Sequence, residues 1–495
     1  MAEKITPRSQ DFSQWYQDVV LQAKMADYSP VKGCMVIRPN GYAIWESIQR
    51  EFNTRIQKLG VRNAYFPIFI PESFLKKEAE HVEGFAPECA VVTHAGGKEL
   101  EEKLVIRPTS ETIINTMFAK WIQSYRDLPM LINQWANVVR WEMRTRLFLR
   151  TAEFLWQEGH TCHATAEESD QEAKQMLMVY KEFLETVLAM PVHAGLKSKN
   201  EKFPGALNTF AVEALMQDQK ALQAGTSHDL STNFAKAFGT KFLDKDNAEK
   251  FVHQTSWGVS TRLIGGMIMT HSDDKGLVLP PRVASTHVVI IPIYGKAAKD
   301  EAAKARLVSL ANDLKIQIEK AAATLGWSQG VGVLVDSDET KQPGWKFHEH
   351  ELVGTPIRIE FGPRDLESKQ VVLCRRDRED KMPVPIDQVA EIAVQQLVTM
   401  QVELLNSARA RVEKHTFVVK SYDDFKAKLD SPGGFMDASW CGNDACEMRV
   451  KAETKATIRV ILLDKSFKPV LSTEPCFVCG QTSGSGVRAL FARSY

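Results

Sequence analysis

The sequence predicts an α/β chain of three domains, with the largest domain mixing helices and strands in the α+β manner. The chain has 495 residues, enough for about three domains of roughly 100–200 residues each. Short apolar runs typical of strands alternate with amphipathic helical segments. Because the texture of the sequence changes near residue 285 and again near residue 408, the predicted domains are 1–285, 286–407 and 408–495.

Composition and charge exclude several classes of protein. Apolar residues make up 44% of the chain and charged residues 25%, which is ordinary for globular proteins and excludes wholesale disorder. The 62 basic and 62 acidic residues give zero net charge, so a globally basic nucleic-acid coat is excluded as well. Residues 408–495 alone are net basic, with 14 basic and 10 acidic side chains. Any RNA would therefore be bound by individually placed residues.

The sequence gives no sign of a membrane segment or of export. No apolar run approaches the roughly 18 residues that a membrane span needs. The polar segment from Met1 to Phe12 has no signal-peptide core. Four cysteines lie scattered at Cys34, Cys89, Cys162 and Cys374, which suits a reducing compartment. We therefore expect a cytoplasmic protein with no membrane partner.

The first strong element is an amphipathic helix followed by a strand-like segment. Apolar residues recur every three or four positions from Ile44 to Leu59, and Gly60 ends the run. Residues Ala64–Ile70 are then apolar, but Pro67 cannot donate to a sheet, which places this strand at an edge or interface. The Tyr42–Ile70 unit is either a dimer surface or, as plausibly on pattern alone, part of one subunit.

Residues 286–407 have the alternating pattern of a compact α/β domain with a mixed sheet. The predicted strands are Val288–Ile291, Val331–Val335, Ile357–Phe361 and Val371–Cys374. The predicted helices are one with an apolar face from Leu307 to Leu325, then Trp345–Leu352 and Val389–Leu405.

Two arginine-bearing segments are candidates for binding an anion. Val138–Glu142 and Thr151–Glu158 are strand-like, and the loop between them holds three further arginines. A strand would hold Arg140 rigidly, and its planar guanidinium suits the paired oxygens of a phosphate or carboxylate. A solvated basic loop is the alternative. Because Arg262 likewise precedes an apolar, Gly-rich helix, two arginines around one site could hold both ends of a triphosphate.

Two further motifs allow a structural and a functional interpretation. Thr109-Ser110-Glu111 could cap the helix that follows, or Glu111 could meet a cationic amine. The polar turn Gln223–His228 could line a pocket. A lone histidine such as His228 is more often structural.

Four cysteines near the end of the chain predict a metal site. Cys441 and Cys446 form one pair, Cys476 and Cys479 the other, and each pair adjoins a glycine. Four thiolates in two close pairs suit tetrahedral Zn²⁺, and a site without an open position would be structural. A redox pair at Cys476/Cys479 and four ordinary reduced cysteines remain as alternatives.

Five motifs occur in one order along the chain, namely Thr109–Glu111, Val138–Glu142, Phe154–His160, Gln223–His228 and Ser256–Arg262. Together with the cysteine-bearing tail they resemble prolyl-tRNA synthetase of the archaeal/eukaryotic-like form, a class II aminoacyl-tRNA synthetase. The resemblance covers nearly the whole chain. It implies an antiparallel sheet with flanking helices, a homodimer formed through the Tyr42–Ile70 unit, an α/β anticodon-binding domain and a small zinc-type C-terminal domain.

The resemblance also implies a reaction. With ATP and Mg²⁺ the chain would convert L-proline to prolyl-adenylate, release pyrophosphate, and transfer proline to the 3′ end of tRNA(Pro). DNA is not an expected partner. Attack by a carboxylate on the α-phosphorus needs no general base, so positioning and charge stabilisation by Arg140 and Arg262 would be the catalytic contribution.

The residues implied for proline share acid, base or aromatic character suited to a small cationic ring. They are Thr109, Glu111, Arg140, Phe154, Trp156, Glu158, Phe203 and His228. Among these, Glu111 would hold the secondary ammonium, and Arg140 would bridge the proline carboxylate and the α-phosphate.

The residues implied for ATP come from the same motifs. They are Arg140, Glu142, Arg150, Thr151, Gln223, Thr226, Ser260 and Arg262. Glu142 would contact the adenine amine, Gln223 would lie beside magnesium, and Arg262 would contact the γ-phosphate. In the anticodon-binding domain, Glu351 and Arg358 would recognise the two guanines of the proline anticodon.

Two other functions fit part of the sequence. A synthetase-derived regulator would usually lose a phosphate-binding arginine, whereas this chain keeps Arg140 and Arg262. A threonine enzyme of the same class would need a metal-binding Cys and His set that is not seen here. The 64 residues between Glu158 and Gln223 are too few for a hydrolytic domain of roughly 100–200 residues, so no editing domain is expected. The terminal Tyr495 would reach back toward the catalytic site, as in similar proteins.

Overall fold

The computed structural model describes residues 5–75, 89–142, 144–295, 299–324, 330–482 and 484–495. Leu325, at the end of one predicted helical face, lies outside these ranges. In the described part of the chain, no helix is both long and apolar enough to cross a membrane.

Helices and strands alternate irregularly in the first 285 residues. The helices are α1 Phe12–Gln22, α2 Pro39–Lys58, α3 Glu111–Trp121, α4 Ala166–Thr186, α5 Asn233–Phe238 and α6 Arg262–His271. The strands are β1 Ala26–Tyr28, β2 Met35–Ile37, β3 Arg62–Asn63, β4 Phe69–Pro71, β5 Val91–Ala95, β6 Lys98–Ile106, β7 Met130–Val139, β8 Glu153–His163, β9 Val192–Leu196, β10 Asn208–Leu215, β11 Ala221–Ser231, β12 Lys241–Leu243, β13 Glu249–Phe251 and β14 His253–Ser260.

The rest of the chain forms two groups of elements. The first group is β15 Val288–Pro292, α7 Glu301–Thr324, β16 Val333–Val335, α8 Pro343–Leu352, β17 Ile357–Phe361, α9 Pro363–Glu367, β18 Gln370–Arg375, β19 Lys381–Pro385 and α10 Val389–Lys414. The second group is β20 Thr416–Val419, α11 Tyr422–Asp430, β21 Phe435–Trp440, α12 Asp444–Thr454, β22 Thr457–Leu462 and β23 Val487–Ala492.

A large, mostly antiparallel sheet forms the centre of the molecule. In the described residues it has 11 strands in the order β20-β21-β23-β22-β9-β10-β11-β14-β8-β7-β3. The strands β7, β8, β14, β11, β10 and β9 are antiparallel neighbours. Helices α2, α4 and α6 cover one face of this sheet with buried apolar side chains, which leaves the opposite face free to carry a site.

The predicted amphipathic helix is confirmed as α2. Its side chains Ile44, Ile48, Phe52 and Ile56 are at most 1% exposed, and it begins with Pro39 at its first turn, where the missing N–H costs nothing.

The strand predicted over Ala64–Ile70 was wrong in extent, because only Phe69 and Ile70 of this segment belong to a strand, β4, while β3 ends at Asn63. Between them the backbone N–H of Phe66 donates to Oε1 of Gln134 at 2.6 Å rather than to a strand. Pro67 lacks an N–H donor. Isolated backbone hydrogen bonds flank it, from the Ala64 N–H to the Asn133 oxygen at 2.8 Å and from the Arg107 N–H to the Ile68 oxygen at 2.9 Å.

The mixed sheet predicted after residue 286 is confirmed, with strand order β16-β15-β17-β18-β19. Strand β15 pairs in parallel with β16 and β17, and β17, β18 and β19 are antiparallel. Helices α7 and α10 bury their apolar faces on it. Helix α10 runs through the predicted division at 407/408 without a break.

The last strands join the central sheet instead of forming a separate sheet. Ile461 and Leu462 of β22 pair with Leu196 and Gly195 of β9. A Cβ atom on Gly195 would overlap the backbone oxygen of Ile461, so only glycine permits this approach. The first 285 residues and the C-terminal strands thus share one continuous hydrogen-bonded sheet.

Candidate functional site

A cavity of about 380 Å³ opens on the free face of the central sheet. Most of the side chains predicted for one substrate site line it, namely Thr109, Glu111, Arg140, Phe154, Trp156, Glu158, Phe203, Gln223, Thr226, His228, Ser260 and Arg262. They come from helices α3 and α6, strands β8, β11 and β14, and three connecting segments. The structure therefore brings together residues up to about 150 positions apart in the sequence.

Strand register arranges these side chains in transverse rows. One row crosses three strands at Glu158, Gly258 and Thr226. The next row, two residues along, holds His160, Ser256 and His228, and continues to Thr209 on β10. Because side chains two apart share a face, both rows point into the same cavity.

Arg140 lies directly after β7 and is held on three sides. Its Nε donates to the backbone oxygen of Pro108 at 2.8 Å. Its guanidinium carbon lies 5.5 Å from the ring centre of Phe154 and 5.3 Å from that of Trp156. Stacking on aromatic faces leaves the rest of the planar fork directed at the cavity.

Arg262 begins helix α6 and is buried among cations. Its Nε donates to the backbone oxygen of Leu149 at 3.2 Å, and its N–H to Ser260 Oγ at 3.2 Å. Burial lowers the pKa of its guanidinium, and the positive charges of Arg150 and Arg140 lower it further. An excess of cations at a helix N-terminus favours a polyanionic ligand.

The expected helix cap at Thr109-Ser110-Glu111 is not formed by these side chains. Ser110 is the N-cap residue of α3, but its side chain makes no capping bond. Its Oγ donates instead to Glu158 at 2.5 Å, and the Thr109 hydroxyl donates to the Glu111 carboxylate. The Thr109 and Ser110 hydroxyls therefore bond carboxylates that line the cavity, and do not cap the helix.

Glu158 is 2% exposed and fully surrounded by hydrogen-bond partners. Its Oε1 accepts from Ser110 and from Gln134 Nε2, the latter at 2.8 Å. Its Oε2 lies 3.0 Å from His160 Nε2. Burial opposes ionisation of this carboxyl, but the hydrogen bond and charge of His160 outweigh it and lower the Glu158 pKa.

His228 is held neutral in the same cavity. Its Nδ1 lies 3.0 Å from Thr209 Oγ1, and its ring packs at 4.7 Å from that of Phe203. Burial, with a contribution from His160, lowers the His228 pKa to about 3. Together with Phe154 and Trp156, these rings form an aromatic wall suited to a small apolar ligand.

Three residues predicted for ATP do not line this cavity. Glu142 and Arg150 form an ion pair at 3.6 Å on the β7–β8 connection, and the Thr151 hydroxyl donates to the backbone oxygen of Glu153 at 2.6 Å. Arg150 instead lines a neighbouring cavity of about 430 Å³ that it shares with Arg262 and Tyr495. Arg262 thus stands between the two cavities.

Sequence reasoning missed several residues of the cavity. His160, Ser256 and Thr209 line it, as do Glu201 and Lys202. The alternation of side chains along β8, which puts His160 on the face of Glu158, could have found the first of them. Ser256 Oγ and Trp156 Nε1 are buried without a hydrogen-bond partner in the described part of the chain, which marks places where a ligand can bind.

Glu351 and Arg358 line one cavity of about 310 Å³ on the second sheet. Arg358 Nε donates to Glu360 at 2.8 Å, and its guanidinium lies 4.6 Å above the ring of Phe347. Lys275, Arg375, Arg376 and Arg378 line the same cavity. Although residues 286–407 are net acidic overall, this cavity is therefore cationic.

The four C-terminal cysteines form one cluster. Their sulfur atoms all lie within 4.8 Å of one another, and Cys441 and Cys446 are 3.7 Å apart. Zn–S bonds of about 2.3 Å in a tetrahedron put sulfurs about 3.8 Å apart, which is close to what is found. Cys446 starts helix α12, and Cys476 and Cys479 precede β23. The donor set fits a structural Zn²⁺.

Three family models match separate parts of the chain. Residues 92–271 match the tRNA synthetase class II core domain (G, H, P, S and T). Residues 287–396 match an anticodon binding domain, and residues 422–495 match a prolyl-tRNA synthetase C-terminal domain.

Relatives match over the full length. The chain is 54% identical to a proline–tRNA ligase of Prosthecochloris aestuarii and 54% identical to that of Chlorobium chlorochromatii, with 100% of each chain covered. Among solved structures, a prolyl-tRNA synthetase of Cryptosporidium parvum complexed with halofuginone and AMPPNP superposes with a TM-score of 0.91 at 40% identity, covering 100% of this chain and 97% of that one. A second structure of that enzyme, complexed with L-proline and AMP, gives a TM-score of 0.90 at 39% identity with the same coverage.

Proposed function

Because the chain belongs to the prolyl-tRNA synthetase family, class II enzymes with proline–tRNA ligase activity, we propose that it charges tRNA(Pro) in two steps. In the first, a proline carboxylate oxygen attacks the α-phosphorus of ATP and pyrophosphate leaves. In the second, a hydroxyl at the tRNA 3′ end attacks the prolyl carbonyl and AMP leaves. The observation that carries this proposal is the single cavity that joins two arginines, two buried carboxylates and an aromatic wall.

We propose that the proline subsite consists of Thr109, Glu111, Arg140, Phe154, Trp156, Glu158, Phe203 and His228. Glu111 holds the secondary ammonium, since its buried carboxylate faces the cavity. Arg140 binds the proline carboxylate and the α-phosphate with the part of its fork that Pro108 does not use.

The proposed ATP subsite contains Arg140, Glu142, Arg150, Thr151, Gln223, Thr226, Ser260 and Arg262. Arg262 contacts the γ-phosphate and, with Arg140, stabilises the charge that grows on the phosphate oxygens. Mg²⁺ bound with ATP would add to this charge neutralisation, with Gln223 beside it. Because Arg150 lines the cavity that adjoins Arg262, it is placed to act on the outer phosphates.

We assign residues 286–407 to anticodon binding and residues 408–495 to the zinc-type domain, after a catalytic domain of residues 1–285. The anticodon assignment is supported by the cationic cavity at Glu351 and Arg358. A structural Zn²⁺ held by Cys441, Cys446, Cys476 and Cys479 is supported by the compact cluster. A lone Cys476/Cys479 redox pair is less favoured, because all four thiols converge.

A homodimer and a cytoplasmic location complete the proposal. Tyr42, Tyr65 and Phe69 of the Tyr42–Ile70 unit are 42%, 71% and 46% exposed. Large exposed apolar side chains clustered on one unit favour an interface.

A cytoplasmic location follows from the proposed tRNA substrate. The archaeal/eukaryotic-like form is supported by the cysteine-bearing tail and by the full-length match to a Cryptosporidium structure.

ATP–pyrophosphate exchange across the twenty amino acids tests the proposal. Exchange should depend on proline, and Arg140→Ala or Arg262→Ala should lower its rate about 100- to 1000-fold, since each removes a contact to developing charge. Arg306→Ala, an exposed arginine on α7, is the control and should keep the full rate. Retention of more than about a tenth of the rate in either active-site variant would contradict the assignment.

A further inference from the structure

We propose that His160 is a positioning residue of the proline subsite, an imidazolium that neutralises Glu158 so that Glu111 is the one carboxylate open to the substrate ammonium. The inference rests on the proposed function, because it specifies how that subsite recognises its ligand. His160 lines the cavity, where it lies opposite Ser256 on β14 and two residues from Glu158 on β8.

Geometry supports a charged pair. His160 Nε2 lies 3.0 Å from Glu158 Oε2, and the two side chains are 4% and 3% exposed. The other oxygen of Glu158 already accepts from Ser110 and Gln134. A buried carboxylate without a counter-charge is costly, and His160 supplies that charge from within hydrogen-bond distance.

Two histidines of one row have opposite environments. Burial disfavours the charge on both, but Glu158, with help from Glu111, raises the pKa of His160. His228 contacts Thr209 instead, and its pKa is lowered to about 3. Such divergence within one site assigns different roles to its two members. His160 carries the positive charge, and His228 stays a neutral hydrogen-bonding ring.

The charges of the subsite then match a zwitterion. Within the proposed proline subsite, the positive Arg140 and His160 balance the negative Glu111 and Glu158. Glu201, Lys202 and Arg262 also line the cavity, and Glu201 is paired with Lys451 at 3.0 Å. Arg107, which is buried behind the cavity and bonded to Asn137 and Phe66, is the other cation whose field reaches Glu158. Loss of the His160 charge would leave an excess anion that repels the substrate carboxylate and competes with Glu111 for the ammonium.

The sign of the pH effect follows from these shifts. Because the pKa of His160 is raised and that of Glu158 lowered, the ion pair is intact at pH values between these two pKa values. It is lost when pH rises through the raised pKa of His160 or falls through the lowered pKa of Glu158. Proline affinity should therefore weaken on the alkaline side before the enzyme unfolds.

The first test is direct and needs no activity. In the full-length protein labelled with ¹⁵N-histidine, the His160 resonances, assigned with the His160→Gln variant, should show both ring nitrogens protonated at pH 7.5. His228 and His163 should show neutral rings, since burial lowers the pKa of His163 to about 4. In Glu158→Gln, His160 should also become neutral. A neutral His160 in the unaltered protein would overturn the inference while leaving the proposed function untouched.

The second test is a double-mutant cycle on the KM for proline. A glutamine at position 160 can place an N–H at about the position of His160 Nε2, but it carries no charge. His160→Gln should therefore raise the KM for proline tenfold or more, as expected for a lost charge-assisted hydrogen bond. Its effect on kcat should be smaller. The same substitution should have little effect in a Glu158→Gln background, because its target is gone. An equal rise in both backgrounds would show direct contact with substrate and overturn the positioning role. His163→Gln, a buried histidine on the same strand, is the control and should keep the KM.

Discussion

At the scale of single residues, the cavity assigns different tasks to chemically similar groups. Arg107 is buried and bonds backbone and Asn137 atoms, whereas Arg140 is more exposed and lines the cavity. The sequence alone could not distinguish the roles of the two arginines, because the oxygen atoms that accept hydrogen bonds from Arg107 belong to Phe66 and Asn137, which are distant in the sequence. The neighbours of a guanidinium decide whether it is structural or available to a ligand.

Arg358 gives the sharpest prediction in the second cavity. Its Nε donates to Glu360 and its guanidinium lies over the ring of Phe347. The other guanidinium N–H groups are therefore left to donate to the edge of a base. Arg358→Ala should lower aminoacylation of tRNA(Pro) by about 10- to 100-fold, for a loss of about 1–3 kcal/mol, and should leave proline-dependent exchange unchanged.

The matched control for this variant is Arg364→Ala, an exposed arginine of α9 outside the cavity. It should leave both assays as they are. Equal losses of exchange and aminoacylation in Arg358→Ala would point to a folding defect and contradict anticodon recognition.

At the scale of elements, periodicity predicted helices well and strand ends poorly. The amphipathic helix predicted from Ile44 to Leu59 is present as α2, with Ile44, Ile48 and Phe52 at most 1% exposed, because an apolar stripe repeats with the helical period. The segment Ala64–Ile70 has strand composition, but only Phe69 and Ile70 pair in a strand, and the Phe66 N–H donates to Gln134. Composition does not report where a backbone N–H finds its acceptor.

The candidate site, too, was predicted from the sequence only in part. The five motifs were enough to gather eleven of its residues, and the resemblance added Phe203, but the roles assigned to these residues remain predictions. His160 and Ser256 were missed, because their presence depends on the register between β8 and β14, and register is set by pairing across nearly 100 residues. Glu142 and Thr151 were placed in the ATP site, yet they bond Arg150 and Glu153.

The cysteine cluster connects α12 with the segment before β23. We predict about one zinc per chain by elemental analysis. Cys476→Ser should abolish most of this metal and lower the melting temperature, since metal binding contributes to folding free energy, while exchange should fall much less.

Cys34→Ser, which alters a cysteine outside the cluster, should keep both the zinc and the melting temperature. Full zinc content in Cys476→Ser would show that the four thiols are not the ligands.

At the scale of the whole molecule, the C-terminus closes on the catalytic part. The Tyr495 hydroxyl donates to Asp218 at 2.7 Å, and Arg146 lies 5.7 Å from its ring. Deletion of Tyr495 should lower the exchange rate by roughly tenfold, about 1.4 kcal/mol, because it opens the arginine-lined cavity beside Arg262 to water.

Tyr495→Phe, which keeps the ring and the terminal carboxylate, is the matched control and should lose little. An unchanged exchange rate in the deletion variant would show that the C-terminus is not part of the proposed site.

The molecule as a whole also bears on proofreading. A pocket for proline rejects the smaller alanine by only about 1–3 kcal/mol, so some Ala-tRNA(Pro) should form. Residues 159–222 are occupied by the end of β8, by α4, β9 and β10, and by the start of β11. We predict that the purified protein does not hydrolyse preformed Ala-tRNA(Pro). Alanine release well above the spontaneous rate, with an inactive Arg140→Ala sample run in parallel, would refute this.

The pairing of β9 with β22 has a consequence for synthesis on the ribosome. Strand β9 emerges early, but its partner Ile461 follows only after more than half of the chain has been translated. Until then the nascent chain exposes the edge of a nearly complete sheet, and unpaired edges are sites of aggregation. The final sheet has high contact order, which predicts slow closure. Residues 457–462, which form β22, thus protect the edge that the earlier strands leave exposed.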